Sequence, residues 1–214
     1  RAFGLQILPP DVNESLWDFN VIGDHIRFGM GAVKNVGENA VREIVRQREE
    51  NGPYTGFIDF CERVSMKLVN KRVIESLIKV GAFDECEEMN RKTLLDHMEI
   101  IITHGQKTQD EKALGQVNLF DMGDNNPNKN EDLKTQLNIE NSEDFDDRQK
   151  LLYEAELMGI YVSGHPLEKF EDVMKQMASM DIAKIHELET KEIDTNNWRE
   201  SQNKNKRDMT IAGM

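Results

Sequence analysis

Between Ile26 and Val45 the chain passes from a short apolar stretch, through Gly29, Gly31 and Gly37, into apolar residues at helical spacing, Val41, Ile44 and Val45. Glycine lets a backbone turn tightly with positive φ and approach a ligand without a Cβ in the way. A helix opening at such a turn presents unpaired N–H groups and the positive end of its dipole, which suits an anionic oxygen. Arg27, Lys34 and Arg42 place positive charge beside the turn. The segment therefore predicts a backbone cradle for phosphate, with a helix over about Ala40 to Glu50 that stops at Asn51-Gly52-Pro53.

Further along, the theme recurs. From Lys71 to Val80 the residues Val73, Ile74, Leu77 and Ile78 form a second apolar stripe, closed by Gly81. Asn90 to His104 follows as a helix with Leu94, Leu95, Met98, Ile101 and Ile102 inward. Two helix–glycine–helix units read as a tandem helix-hairpin-helix, a module that holds a nucleic-acid backbone without reading its sequence. Such a pair shares one core that neither unit could build alone. Phe57 to Val64 adds a short helix, and Trp17 to Phe28 a short hairpin around Gly23-Asp24.

A formal charge of −13 over 214 residues would at first sight oppose DNA. The distribution matters more than the sum. Arg27, Lys34, Arg42, Arg46 and Arg48 stand against Glu38 and Glu43, and Arg63, Lys67, Lys71, Arg72 and Lys79 against Glu75 alone. The acid concentrates after Asp121. Hydrophobic residues make up 38% and mean hydropathy is −0.65, low for one compact body. Thr103 to Gln149 is polar and lacks apolar periodicity, so it reads as a linker without a fold of its own. An amphipathic helix resumes at Leu151, another spans Leu167 to about Met177, and Met209 to Met214 reads as part of a strand. No apolar run reaches membrane-spanning length, and Cys61 and Cys86 lack pairing or metal-type spacing, which fits a reducing cytoplasm.

Leu8-Pro9-Pro10-Asp11-Val12-Asn13, the Gly29–Ala40 block, Asn70-Lys71-Arg72 with Ile74-Glu75, Gly81-Ala82-Phe83-Asp84 and Ser163-Gly164-His165-Pro166-Leu167 occur in this order. Together they resemble the bacterial replicative DNA polymerase III alpha subunit, a C-family polymerase. The resemblance implies a mainly α fold in which residues 1–25 end the fingers region and 26–105 form the tandem helix-hairpin-helix domain. Residues 106–148 would be an acidic linker, 149–206 a helical connector, and 207–214 the start of an OB-fold strand. The chain then reads as a piece of a longer polymerase whose catalytic aspartates and Mg2+ lie upstream, with no cofactor of its own. Duplex-binding residues on this reading are Lys34, Asn35, Val36, Gly37, Asn39, Arg42, Lys71, Arg72, Lys79 and Gly81. Asn35 stands where hairpin turns often carry glycine, so asparagine must tolerate a left-handed conformation there.

Gln116-Val117-Asn118-Leu119-Phe120 is similar to the family's internal peptide for the sliding clamp. In such a peptide Leu119 and Phe120 would bury apolar surface in a pocket while the Gln116 amide fixes orientation. Implied partners are duplex DNA, the sliding clamp and other replicase subunits. Blander readings stand beside these. Gly37 and Gly81 also fit plain helix caps, and each lysine or arginine also fits an ordinary solvated charge. Gly29-Met30-Gly31 lacks the rest of a dinucleotide fingerprint, and His97 with His104 lacks a third metal ligand. The rival assignments are a stand-alone helix-hairpin-helix repair or adaptor protein, the error-prone polymerase paralogue, and an acidic scaffold whose helices bind protein only.

Overall fold

The computed structural model describes residues 6–114 and 129–168. Three short strands, β1 (Gln6–Leu8), β2 (Asn20–Ile22) and β3 (His25–Arg27), form a sheet in the order β1-β3-β2. β2 and β3 are the antiparallel hairpin expected around Gly23-Asp24, and β1 adds in parallel. Gly23 takes φ +57 in the two-residue turn, where the twist of a hairpin demands a positive angle. A 3-10 turn, Met30–Ala32, leads from the sheet into the helices.

The helices are α1 (Glu38–Asn51), α2 (Phe57–Arg63), α3 (Lys71–Lys79), α4 (Arg91–Ala113), α5 (Lys129–Gln136) and α6 (Asp147–Met158). α1 buries Ala40, Val41 and Ile44 and ends where expected, at Gly52 with φ +83. Val73, Ile74, Leu77 and Ile78 of α3 are buried, as are Leu94, Met98, Ile101 and Ile102 of α4. Phe83 stands edge-on to Phe57 and Phe60, with ring centroids 5.0 and 4.9 Å away. Tyr54 closes the cluster, its hydroxyl donating to the Ile44 carbonyl at 2.8 Å. Each buried side chain of this size contributes about 1.5–3 kcal/mol, and one continuous core serves all these elements.

Of the polar stretch 103–149 expected to be a linker, both described ends are ordered. α4 runs on to Ala113 because its second half is held by polar contacts that apolar periodicity does not report. Gly105 lets α4 close on the end of α2, where a Cβ would stand 2.5 Å from the Cys61 carbonyl oxygen. The Gln109 amide then donates to the Cys61 and Val64 carbonyls at 3.0 and 2.9 Å. These are C-terminal carbonyls of α2 that a helix leaves without partners. Beyond α5, the Ser142 amide donates to Thr93 Oγ1 at 2.9 Å and the Asn90 side chain to the Ser142 carbonyl at 2.7 Å. Residues 142–144 are thereby pinned to the start of α4.

α6 begins at Asp147, earlier than the apolar pattern indicates, because Asp146 caps it by accepting from the Gln149 amide at 2.7 Å. Gly159 closes it in a left-handed conformation at φ +73. The fully buried Glu154 carboxylate then gathers the Val162 and Ser163 amides, at 2.7 and 3.1 Å, folding the following turn back onto α6.

The chain divides into two compact units, Arg1–Gly164 and His165–Met214. Described residues of the second are 165–168, a turn in which the Leu167 amide donates to His165 Nδ1 at 3.2 Å. The rest of the helix expected up to Met177, the strand at 207–214 and the peptide Gln116–Phe120 lie outside the described residues. Among the described residues no helix is long and apolar enough to cross a membrane. Gly105→Ala tests the close α2–α4 approach: it should lower unfolding stability by about 1–3 kcal/mol. Urea denaturation with an unchanged midpoint would show that the helices need no such contact.

Candidate nucleic-acid interface

Two loops carry the same pattern. Gly37 caps α1 and Asn70 caps α3. At the same spacing buried Val36 matches Val69, Val41 matches Ile74, and Ile44 matches Leu77. The structural repeat therefore pairs Lys34-Asn35-Val36-Gly37 with Lys67-Leu68-Val69-Asn70. The second hairpin is α2–loop–α3, not α3–Gly81–α4 as the glycine pattern indicated. Lys67, exposed and with no ion pair among the described residues, occupies the position equivalent to Lys34. Aligning the two Lys-x-Val steps, instead of the glycines, would have found it.

The two hairpins differ in what their backbones leave open. At α1, Gly37 offers no side-chain cap, and the amides of Glu38 and Asn39 have no internal acceptor among the described residues. A Cβ at Gly37 would meet nothing within 4 Å, so the approach to these amides is clear. At α3 the Asn70 carboxamide oxygen already accepts from the Arg72 and Val73 amides at 3.0 and 3.2 Å. The first helix start can thus bind an anion through its main chain. At the second, the Arg72 and Val73 amides are occupied, and exposed side chains carry more of the site.

Within the first loop, Asn35 takes φ +71, the left-handed geometry expected of it. Its Nδ2 donates to the buried Ser76 hydroxyl on α3 at 3.1 Å. The Lys34 and Val36 amides are bonded inside the protein, to the Leu157 carbonyl at 2.8 Å and the Val33 carbonyl at 3.1 Å. The Val36 side chain is buried, so it supports the loop and does not face a ligand. Lys34, Asn35, Gly37 and Asn39 are exposed.

Gly81 is not a second cradle. It is buried at φ +79, its amide donates to Ile78 O at 3.0 Å, and the Ala82 amide donates to Leu77 O at 2.9 Å. This is a Schellman cap of α3, and its donors are consumed. Any Cβ there would fall onto the Arg91 guanidinium, which is itself buried and fork-bonded to Asp84 at 2.6 to 3.1 Å.

Much of the local positive charge is also spent inside the fold. Arg27 is 3% exposed and bonded to Glu14, Glu85 and the Pro9 carbonyl. Arg48 donates to Val12 O and Arg46 pairs with Glu43 and Glu50. Arg63 lies over the Tyr54 ring and donates to the Gln47 and Gly52 carbonyls. Lys79 pairs with Glu75 at 2.7 Å and sits 5.1 Å above the Tyr153 ring, part of the α3–α6 seam. Lys71 pairs with Glu99, whose carboxyl is held below its ordinary pKa by that bond and charge. Arg42 pairs with Glu38 at 2.5 Å, both highly exposed. Such surface pairs are worth under about 1 kcal/mol and yield readily to a phosphate. Lys34, Lys67 and Arg72 remain exposed with no ion pair among the described residues.

No group of three His, Cys, Asp or Glu side chains able to hold a metal occurs among the described residues.

Residues 4–94 match the family model of the helix-hairpin-helix motif. DNA polymerase III subunit alpha of Saccharopolyspora erythraea is 39% identical over 86% of this chain and 15% of its own length. The Thermus aquaticus subunit is 38% identical over 88% of the chain and 14% of its length. That of Borreliella burgdorferi is 34% identical over 85% of the chain and 15% of its length. The chain belongs to the DNA polymerase III alpha-subunit family. It spans about 15% of the length of these relatives, so the family places the helix-hairpin-helix motif within a much larger polypeptide.

Glu43 shows how the surface behind α1 depends on protonation. Burial works to raise its carboxyl pKa, but bonds from Gln47, Arg46 and the Ser65 amide outweigh burial and hold the pKa below the ordinary glutamate value. The stability so gained is present above an unfolded value of about 4.3. It is lost as pH falls through the lower folded value. Glu43→Gln should therefore be less stable than the parent at near-neutral pH, with the gap narrowing as pH falls from about 6 to about 3. A gap that stays constant across that range would show that the carboxylate is not the titrating group.

Proposed function

We propose that this chain is the duplex-gripping and clamp-tethering part of a DNA polymerase III alpha subunit, acting on the newly made primer–template duplex. The observation that carries the reading is the bare start of α1, two amides open behind a glycine cap and Lys34 unpaired beside it among the described residues. A phosphate oxygen there accepts from the Glu38 and Asn39 amides while Asn35, Gly37 and Asn39 leave room for the strand. Lys34, Lys67 and Arg72 add charge from both hairpins, and Arg42 and Lys71 exchange their surface carboxylates for phosphate. Such contacts position the duplex and carry no sequence information, as a replicative enzyme requires. Lys79 and Gly81 are supports of α3 on this reading and do not touch DNA.

Polymerisation belongs to the whole protein. Its catalytic carboxylates and Mg2+ lie elsewhere in the polypeptide, and the cytoplasm and the remaining replicase subunits are its setting. The sliding clamp is engaged through Gln116, Leu119 and Phe120, supported by the residue pattern Gln-x-x-Leu-Phe in a polar stretch. Two attachments on one chain reinforce each other through effective concentration, since DNA binding holds the peptide near a ring on the same duplex.

Fluorescence anisotropy on random-sequence duplex across a salt series tests the first half. Lys34→Ala with Lys67→Ala and Arg72→Ala should weaken binding and lower the salt slope by about 1 for each lost phosphate contact. A slope equal to the parent's would remove these residues from the interface, and no duplex binding at low salt would favour the acidic protein-binding scaffold. For the second half, Leu119→Ala with Phe120→Ala should abolish retention on immobilised clamp and leave duplex affinity intact. Retention that survives the double change would refute the tether.

A further inference from the structure

We infer that Ser76 is a positioning residue for the duplex-binding loop, acting through the side chain of Asn35. The inference rests on the duplex-grip reading above and adds a residue on a different helix to it. A serine in the apolar stripe of α3 calls for a partner, because burying a hydroxyl without one is unfavourable. Ser76 is 3% exposed, and the partner it receives is Asn35 Nδ2, at 3.1 Å. Asn35 is the one residue of the Lys34–Gly37 loop held at positive φ. An asparagine adopts that geometry at some cost, so a bond to its carboxamide selects one loop conformation from several. The loop's other external tie, the Lys34 amide to the Leu157 carbonyl at 2.8 Å, fixes the residue just before it. Between them the two bonds set the direction in which Gly37 enters α1, and hence where the Glu38 and Asn39 amides point.

The equivalent position of the second hairpin is Leu68, exposed and unable to make such a bond. There the Asn70 cap already occupies the Arg72 and Val73 amides, so fewer donors need aiming. The tie occurs at the helix start with two open donors, Glu38 and Asn39, and is missing at the one that its own side chain largely closes. Pre-arranged donors bind without an ordering penalty at the moment of contact.

The test uses the full 214-residue chain and random-sequence duplex. Ser76→Ala should weaken affinity about threefold to tenfold, the scale of one neutral hydrogen bond. The salt slope should stay at the parent value, because no phosphate contact is lost. Ser76→Thr, which keeps the hydroxyl, should restore binding. Asn35→Gly keeps the positive φ and removes the bond. It should weaken binding to a similar degree, with no further loss when combined with Ser76→Ala. Amide NMR shifts of Gly37, Glu38 and Asn39 on duplex titration should shrink together in both variants. Parent-like affinity of Ser76→Ala overturns the inference, as do additive losses in the double variant. If Ser76→Ala fails to fold, parent-like affinity of Asn35→Gly overturns it instead. A parent chain that does not bind duplex at all would instead overturn the reading beneath it.

Discussion

Helix starts must find acceptors for their first amides, and in this protein the way each start meets that demand decides what the surface can do. Asn70, Asn90 and Asp146 close the starts of α3, α4 and α6 with their own side chains. α2 opens behind Gly56, but the Glu87 carboxylate reaches in to accept from the Phe57 amide at 2.8 Å. Among the described residues α1 receives no such oxygen. A serine or aspartate at position 37 would have stabilised the helix by roughly a few tenths of a kcal/mol relative to glycine. Leaving glycine there forgoes that stability, so the deficit falls where an external anion can supply the missing acceptor. The deficit is tolerable because α1 is held by Ala40, Val41 and Ile44 in the common core.

Charge follows the same economy. Counting Lys and Arg along the sequence finds two basic segments, yet half of those cations are structural. Arg27 and Arg91 are buried and are themselves satisfied by carboxylates and backbone carbonyls of the fold. Arginine suits this work because its planar fork satisfies several oxygens at once. The cations left for an external partner, Lys34, Lys67 and Arg72 with the surface-paired Arg42 and Lys71, lie on or beside the two hairpin loops. The overall −13 therefore neither excludes nor explains an anionic ligand. A few unpaired cations beside open amides matter more than the sum.

The sequence made legible those features that periodicity and turn chemistry encode. The stripes of α1, α3 and the first half of α4, the stop at Gly52, the hairpin at Gly23 and the left-handed Asn35 all follow from residue type and spacing. The register of the repeat did not, because glycine serves two purposes. Gly37 sits at a helix start and Gly81 at a helix end, and one letter cannot tell the two apart. Extension of α4 to Ala113 was hidden for a different reason. Gly105 and Gln109 hold it through close backbone approach and carbonyl bonds, neither of which leaves an apolar signature. Within the candidate site, exposed Lys34, Asn35, Gly37 and Asn39 were readable from the loop itself. Ser76 was not, since its partner lies far away in sequence.

The described elements that follow α4 lead back to the first hairpin loop. α5 and the residues after it return to the first unit, with Leu133, Leu137 and Ile139 half-buried against the core and Lys134 beside Glu87. α6 then packs along α3, and its last turn supplies the Leu157 carbonyl to the Lys34 amide. The described residues on both sides of 115–128 therefore pack on the body that carries the first hairpin. α6 is hydrogen-bonded to the residue that opens the loop, so the elements after α4 help to set the direction of the Lys34–Gly37 turn through the Lys34–Leu157 bond.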